Sequence, residues 1–191
     1  MIEAFLASVA VVAFAEIGDK TMLLAIVLAA RLRAPWQILA GIFAATVVNH
    51  GISAFAGREI AGLVEAQWFQ IAVALGFIAM ALWTLVPDKL DDDEDAFTHR
   101  GGPFLTTLVS FFLVEIGDKT QVATIALGAQ YHSVLAVAVG TTLGMMIANT
   151  PAVFLGETIV QRVSLKATRM VAALIFFVLG IIQLGRALGM F

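Results

Sequence analysis

Six residues set in apolar surroundings carry the chemistry of this chain: Glu16, Asp19 and Lys20, and Glu115, Asp118 and Lys119. They belong to two copies of Glu-Ile-Gly-Asp-Lys-Thr, at 16–21 and 115–120, an offset of 99 residues. On a continuous helix a spacing of three puts Glu16 and Asp19 on one face, and Glu115 and Asp118 likewise. A spacing of four lets Lys20 reach back to Glu16 and Lys119 to Glu115. Thr21 and Thr120 add hydroxyls to each motif. Gly18 and Gly117 allow either a close helix approach or a local break, and the sequence leaves both open. A charge at the centre of a spanning helix costs roughly 2.5–3.5 kcal/mol. Three in each motif are a poor way to fix packing, which Gly, Ala or Ser achieve more cheaply, so the motifs point to function.

Four carboxylates and two lysines leave a residual charge of −2, which matches one divalent cation or two protons. Clustered carboxylates repel one another, and either occupant relieves that repulsion. A metal ion and about two protons competing for the same oxygens would make an exchanger. The ligand set Glu16, Asp19, Glu115 and Asp118 is all oxygen and suits hard ions such as calcium, manganese and magnesium. The chain has no cysteine, so thiolate sites and disulfides are excluded.

The elements that must hold these residues are membrane helices. The chain is 61% hydrophobic and only 13% charged, against roughly 25% charged in soluble domains. A helix needs about 20 apolar residues to cross a bilayer. Six segments meet this, near 3–29, 36–57, 67–87, 103–129, 133–156 and 170–189. The expected fold is therefore all-α and integral to the membrane, with six transmembrane helices. A polar, acidic stretch at 88–102 reads as a solvated linker between two three-helix units, 1–87 and 103–191. Loops 1–2, 3–4 and 5–6 carry Arg31, Arg33, Lys89, Arg100, Arg162, Lys166 and Arg169, against Arg58 and Arg186 opposite. The positive-inside rule makes the first side cytoplasmic and turns both termini outward. The N-terminus lacks the basic region and cleavage site of a signal peptide.

The motif repeat extends to Gly41 with Gly140 and Gly57 with Gly156, and Asn49 falls within one residue of a match to Asn149. Three helices per unit is an odd number, so the second unit enters from the opposite side. The units are then inverted-topology repeats, a plan common in secondary transporters with the site where the repeats meet.

Helices 2 and 5 supply further polar residues. Thr46, Asn49 and Ser53 share a stripe, as do Thr142 and Asn149. They either line the site or bond between helices. Gln121 offers another ligand oxygen where the first motif has Met22, an asymmetry. His50, the one intramembrane histidine, reads first as a buried, hydrogen-bonded residue at a helix interface, and second as a ligand or proton relay. Gly140 and Gly144 suit close packing, and Pro151 predicts a kink just after Asn149. Trp36, Trp68 and Trp83 fall near helix ends as interfacial anchors, and the seven Met residues read as core filling.

Two Glu-x-Gly-Asp-Lys-Thr motifs in helices 1 and 4 of a six-helix chain resemble the GDT-type family. It takes in MneA-like bacterial manganese exporters and organellar relatives, and is grouped with the LysE-like exporters. The resemblance covers essentially the whole chain, with no departure inside the motifs. It implies a manganese or calcium transporter exchanging cation for protons and using no cofactor. It puts the acidic site on Glu16, Asp19, Glu115 and Asp118, completed by Lys20, Thr21, Lys119 and Thr120. Lacking the targeting region of organellar relatives, the chain suits a bacterial inner membrane.

The expected partners are a divalent metal ion, protons and lipid, with no nucleic acid and a monomer or homodimer as the working unit. A LysE-type exporter of small organic solutes is the alternative of a different class, since Glu, Asp and Lys match an amine and a carboxylate. A passive cation channel is a second. An intramembrane hydrolase is disfavoured, because each acid pair lies on one helix turn beside a lysine, with no nucleophile in view.

Overall fold

The computed structural model describes residues 1–63, 67–87, 101–156, 158 and 164–190. Eight helices are found among them. They are α1 (Ile2–Glu16), α2 (Lys20–Leu32), α3 (Pro35–Leu63), α4 (Gln67–Thr84), α5 (Gly102–Glu115), α6 (Lys119–Tyr131), α7 (Val134–Leu155) and α8 (Leu165–Ala187). Four are long and apolar enough to cross a bilayer: α3, α4, α7 and α8. The acidic stretch, with Lys89 and Arg100, and Arg162 as well, lies almost wholly outside the described residues.

The first and fourth expected helices are not continuous. Each breaks inside its motif. Ile17 leaves the helix with φ −68° and ψ 110°, Gly18 turns to φ +85°, and Asp19 stands extended as the N-cap of α2. Ile116 at −66° and 118°, Gly117 at +80° and extended Asp118 repeat this geometry before α6. Glycine suits this turn because an L side chain in the left-handed region crowds the neighbouring carbonyl, at a cost of roughly 1–2 kcal/mol. The glycines therefore serve as breaks, resolving what the sequence left open. Pro151, expected to kink its helix, lies within α7, which is assigned unbroken from Val134 to Leu155.

The halves interlock. The carbonyl of Phe104 and the Cβ of Thr107 approach Gly41 of α3 so closely that an added Cβ would come within 2.8 Å of each. On the other half, a Cβ on Gly140 of α7 would come within 2.7 Å of the Phe5 carbonyl and 2.8 Å of Ser8 Cβ. Phe5 and Phe104, Ser8 and Thr107, Gly41 and Gly140 are each 99 apart. The capping residues Arg33 and His132, both at φ 51°, share this offset. Contacts exchanged in this reciprocal way are what a two-fold relation between like units produces.

Direction follows from the same contacts. Gly41 sits by Phe104 and Gly57 by Ile125 and Ala129, so α3 runs alongside α5–α6 in the same sense. Gly140 sits by Phe5 and Gly144 by Val9 and Ala13, so α7 runs with α1. The Gln67 side chain donates to the Ala187 carbonyl at 2.8 Å while Gly180 touches Ala74 and Ile78, so α4 and α8 are antiparallel. Phe77 and Phe176 tilt against each other between them, ring centroids 6.5 Å apart.

The outer surface is apolar. Phe43, Val47, Ile52 and Phe55 of α3, and Leu143, Ile147 and Phe154 of α7, are exposed. Such a surface belongs in lipid rather than in water. Trp36, Trp68 and Trp83 are exposed near helix ends, as interfacial anchors require. Met22, Met80 and Met145 fill the core.

Candidate functional site

Breaking a helix in the middle leaves the carbonyls of one half and the N–H groups of the next without partners. Both breaks place an acid on either side of that gap. Glu16 ends α1 and Asp19 caps α2; Glu115 ends α5 and Asp118 caps α6. The Asp118 carboxylate accepts from the Thr120 N–H at 3.4 Å, so it serves partly as a helix cap. All four acids are buried, as are Thr21, Lys119 and Thr120, while Lys20 is partly exposed.

With the helix broken, the four-residue spacing no longer sets where the lysines reach. Both cross between halves. Lys119 Nζ lies 2.8 Å from Asp19 Oδ1, and Lys20 Nζ lies 3.7 Å from Asp118 Oδ1. The pairs are reciprocal under the 99-residue offset, so the two motifs meet at one place.

The glutamates are not equivalent. Glu16 accepts hydrogen bonds from the hydroxyls of Thr21, in its own motif, and Thr120, in the other. Carboxylate oxygens of Glu16, Asp19 and Asp118 can all lie within 4.8 Å of one another, a separation that one metal ion can bridge. Glu115 falls outside this group and stands near His50, whose Nε2 is 3.8 Å from Glu115 Oε2. Three of the four expected ligands are thus gathered, and the fourth stands beside them.

The supporting residues divide. Asn49 donates to the Phe112 carbonyl at 3.2 Å and ties α3 to α5. The Asn149 amide donates within its own helix, to the Met145 carbonyl at 3.1 Å and its sulfur at 2.9 Å. Thr142 lines an apolar hollow with Phe43, Val47 and Met146 rather than the acids. Gln121, expected to offer a ligand oxygen, spends it on the Gly117 N–H at 2.8 Å and stabilises the second break. His50 is buried, yet among the described residues neither ring nitrogen has a hydrogen-bond partner, contrary to its first reading. The offset that relates all other pairs matches Asn149 with His50, not with Asn49.

Comparison with known proteins follows the same halves. A family model described as "Divalent cation/proton antiporter GDT1" matches residues 4–92 and 103–191. A Vibrio cholerae protein named "Putative manganese exporter" is 45% identical over 175 residues, covering 91% of this chain and 86% of that one. A GDT1-like protein of Synechocystis is 28% identical over 202 residues, covering 96% and 97%. "GDT1-like protein 5" of Arabidopsis thaliana is 28% identical over 219 residues, covering 95% of each. No solved structure matches the chain.

Proposed function

The chain belongs to the GDT1 family of divalent cation/proton antiporters, and on that premise we propose that it exports Mn2+, with Ca2+ as a second cargo, in exchange for protons through the acids at its two helix breaks. The family is one of transporters, not enzymes. The observation that carries the proposal is the reciprocal pairing of Lys119 with Asp19 and Lys20 with Asp118, beside the gathered oxygens of Glu16, Asp19 and Asp118.

Charge accounts for the exchange. Two lysines offset two of the four carboxylates. One divalent ion offsets the other two, and so do two protons. Neither occupant is stable beside the other, because together they would overfill the oxygens. An ion arriving from one side thus displaces protons, and protons arriving from the other side displace the ion. The two halves carry the same motif, so they can trade roles as access alternates.

The proposed arrangement in the bilayer is six crossings in two inverted three-helix units. The broken pairs α1–α2 and α5–α6 each make one crossing, too short as separate helices but long enough end to end. The shared direction of α1 with α7 and of α3 with α5–α6 supports inversion. Arg31 and Arg33 at the end of α2, and Lys166 and Arg169 at the start of α8, mark the cytoplasmic side of a bacterial inner membrane, with both termini outside. One chain carries both motifs, so a monomer suffices.

The test uses purified protein in liposomes with a pH dye inside and the voltage clamped by potassium and valinomycin. Mn2+ added outside should enter and make the lumen more alkaline, with about two protons leaving per ion. Mn2+ entry without a change in lumenal pH would contradict exchange.

A further inference from the structure

The buried interior holds a donor group that the charge balance does not use. His50 on α3 is 0% exposed, and among the described residues neither its Nδ1 nor its Nε2 makes a hydrogen bond. An imidazole buried in this state forfeits roughly 1–3 kcal/mol for each idle polar group. Glu115 Oε1, on the facing helix α5, is also buried without a hydrogen-bond partner. Its other oxygen stands 3.8 Å from His50 Nε2. That is too long for a hydrogen bond. It is within reach of two donors sharing one ion, which at bond lengths of about 2.2 Å stand about 3 Å apart at right angles and farther apart at wider angles.

The opposite half gives the comparison. At the position 99 residues on, α7 carries Asn149. Its amide nitrogen is taken by Met145, and its Oδ1 is buried with no hydrogen-bond partner. Equivalent places in the two halves thus each leave a ligand atom idle, nitrogen in one and oxygen in the other. Packing alone leaves some buried atoms idle, but at both members of a repeat this is what a shared ligand position leaves.

We infer that His50 gives the transported cation an imidazole nitrogen beside the Glu115 carboxylate, and that this donor favours Mn2+ over Ca2+. The inference rests on the cation reading above. Four carboxylates alone separate these ions poorly, because both take oxygen ligands. Ca2+ is held by oxygen and gains little from imidazole. Mn2+, as a first-row transition ion, accepts nitrogen, though less avidly than zinc or copper. A single nitrogen among oxygens therefore discriminates against Ca2+ without building the several-nitrogen site that would trap zinc.

The experiment is electron spin-echo envelope modulation of Mn2+ bound to the full-length chain in detergent. Histidines are supplied with either natural nitrogen or 15N. Wild type and His132→Asn should show histidine-nitrogen coupling that changes with the isotope, and His50→Asn, which copies the opposite half, should lose it. In competition, the ratio of Mn2+ to Ca2+ affinity should fall about tenfold in His50→Asn, the lower end of what altering one supporting group does to metal binding. Bound Mn2+ without histidine coupling in wild type, or coupling that survives in His50→Asn, would overturn the inference and leave the cation reading standing. Failure of wild type to bind Mn2+ at all would overturn both. The wild-type isotope comparison decides the matter even if the variant does not fold.

Discussion

Lys119, at the start of one half-helix, bonds Asp19, at the start of the other, across 2.8 Å and between the two halves of the chain. Both side chains are buried. Replacing Lys119 with Met takes a cation away from a buried carboxylate. The expected cost is on the order of 3 kcal/mol, read as a lower thermal midpoint in detergent. Adding Asp19→Asn to that variant should restore much of the loss. Additive losses in the double variant would mean the pair is not coupled.

The breaks make a second prediction. Gly18 and Gly117 both hold positive φ, which costs an L residue about 1–2 kcal/mol. A Cβ on Gly18 would come within 2.7 Å of Leu165 Cδ2, the far end of a flexible side chain that can move aside, and Gly117 has open space. Gly18→Ala and Gly117→Ala should therefore both lower the thermal midpoint to a similar extent and slow cation flux. An unchanged midpoint in either variant would argue against the break.

Helix contact across the halves is tested at α3. A Cβ on Gly57 would come within 2.0 Å of the Ile125 carbonyl, but one on Gly51 would meet nothing within 4 Å. Gly57→Ala should cost about 1–3 kcal/mol through overpacking. Gly51→Ala should be neutral or slightly stabilising, since alanine favours the helix. The same thermal scan reads both.

Cation binding should depend on pH with a definite sign. Protons and the ion share the same carboxylates, so binding releases protons. Mn2+ affinity should rise with pH and fall as the carboxylates protonate. Calorimetry in buffers of different ionisation enthalpy measures the protons released, expected to approach two per ion. An affinity flat in pH would remove the basis for exchange.

Much of this was legible in the residues. The doubled motif gave the repeat, the deficit of charged residues gave the membrane, and the resemblance to the family pointed to a divalent cation. The break was not legible, because glycine in a helix serves close packing as readily as a turn. With the break undecided, the four-residue spacing suggested that each lysine serves its own glutamate. Only the tertiary meeting of the halves shows each lysine turned to the other half's aspartate. The partner of Asn149 is legible in the sequence: the 99-residue offset points to His50, where residue type alone points to Asn49. Gln121 looked like a ligand because its role as a cap exists only once the helix is broken.

The most direct test is Mn2+ entry into liposomes loaded with a manganese-sensitive dye, under an imposed pH gradient, for wild type beside Glu16→Gln and Asp118→Asn. These residues come from different halves and contribute to the same oxygen cluster. Gradient-driven entry in wild type that is lost in both variants, with their folding intact, is the predicted result. Undiminished entry in either variant would contradict a site shared between the halves.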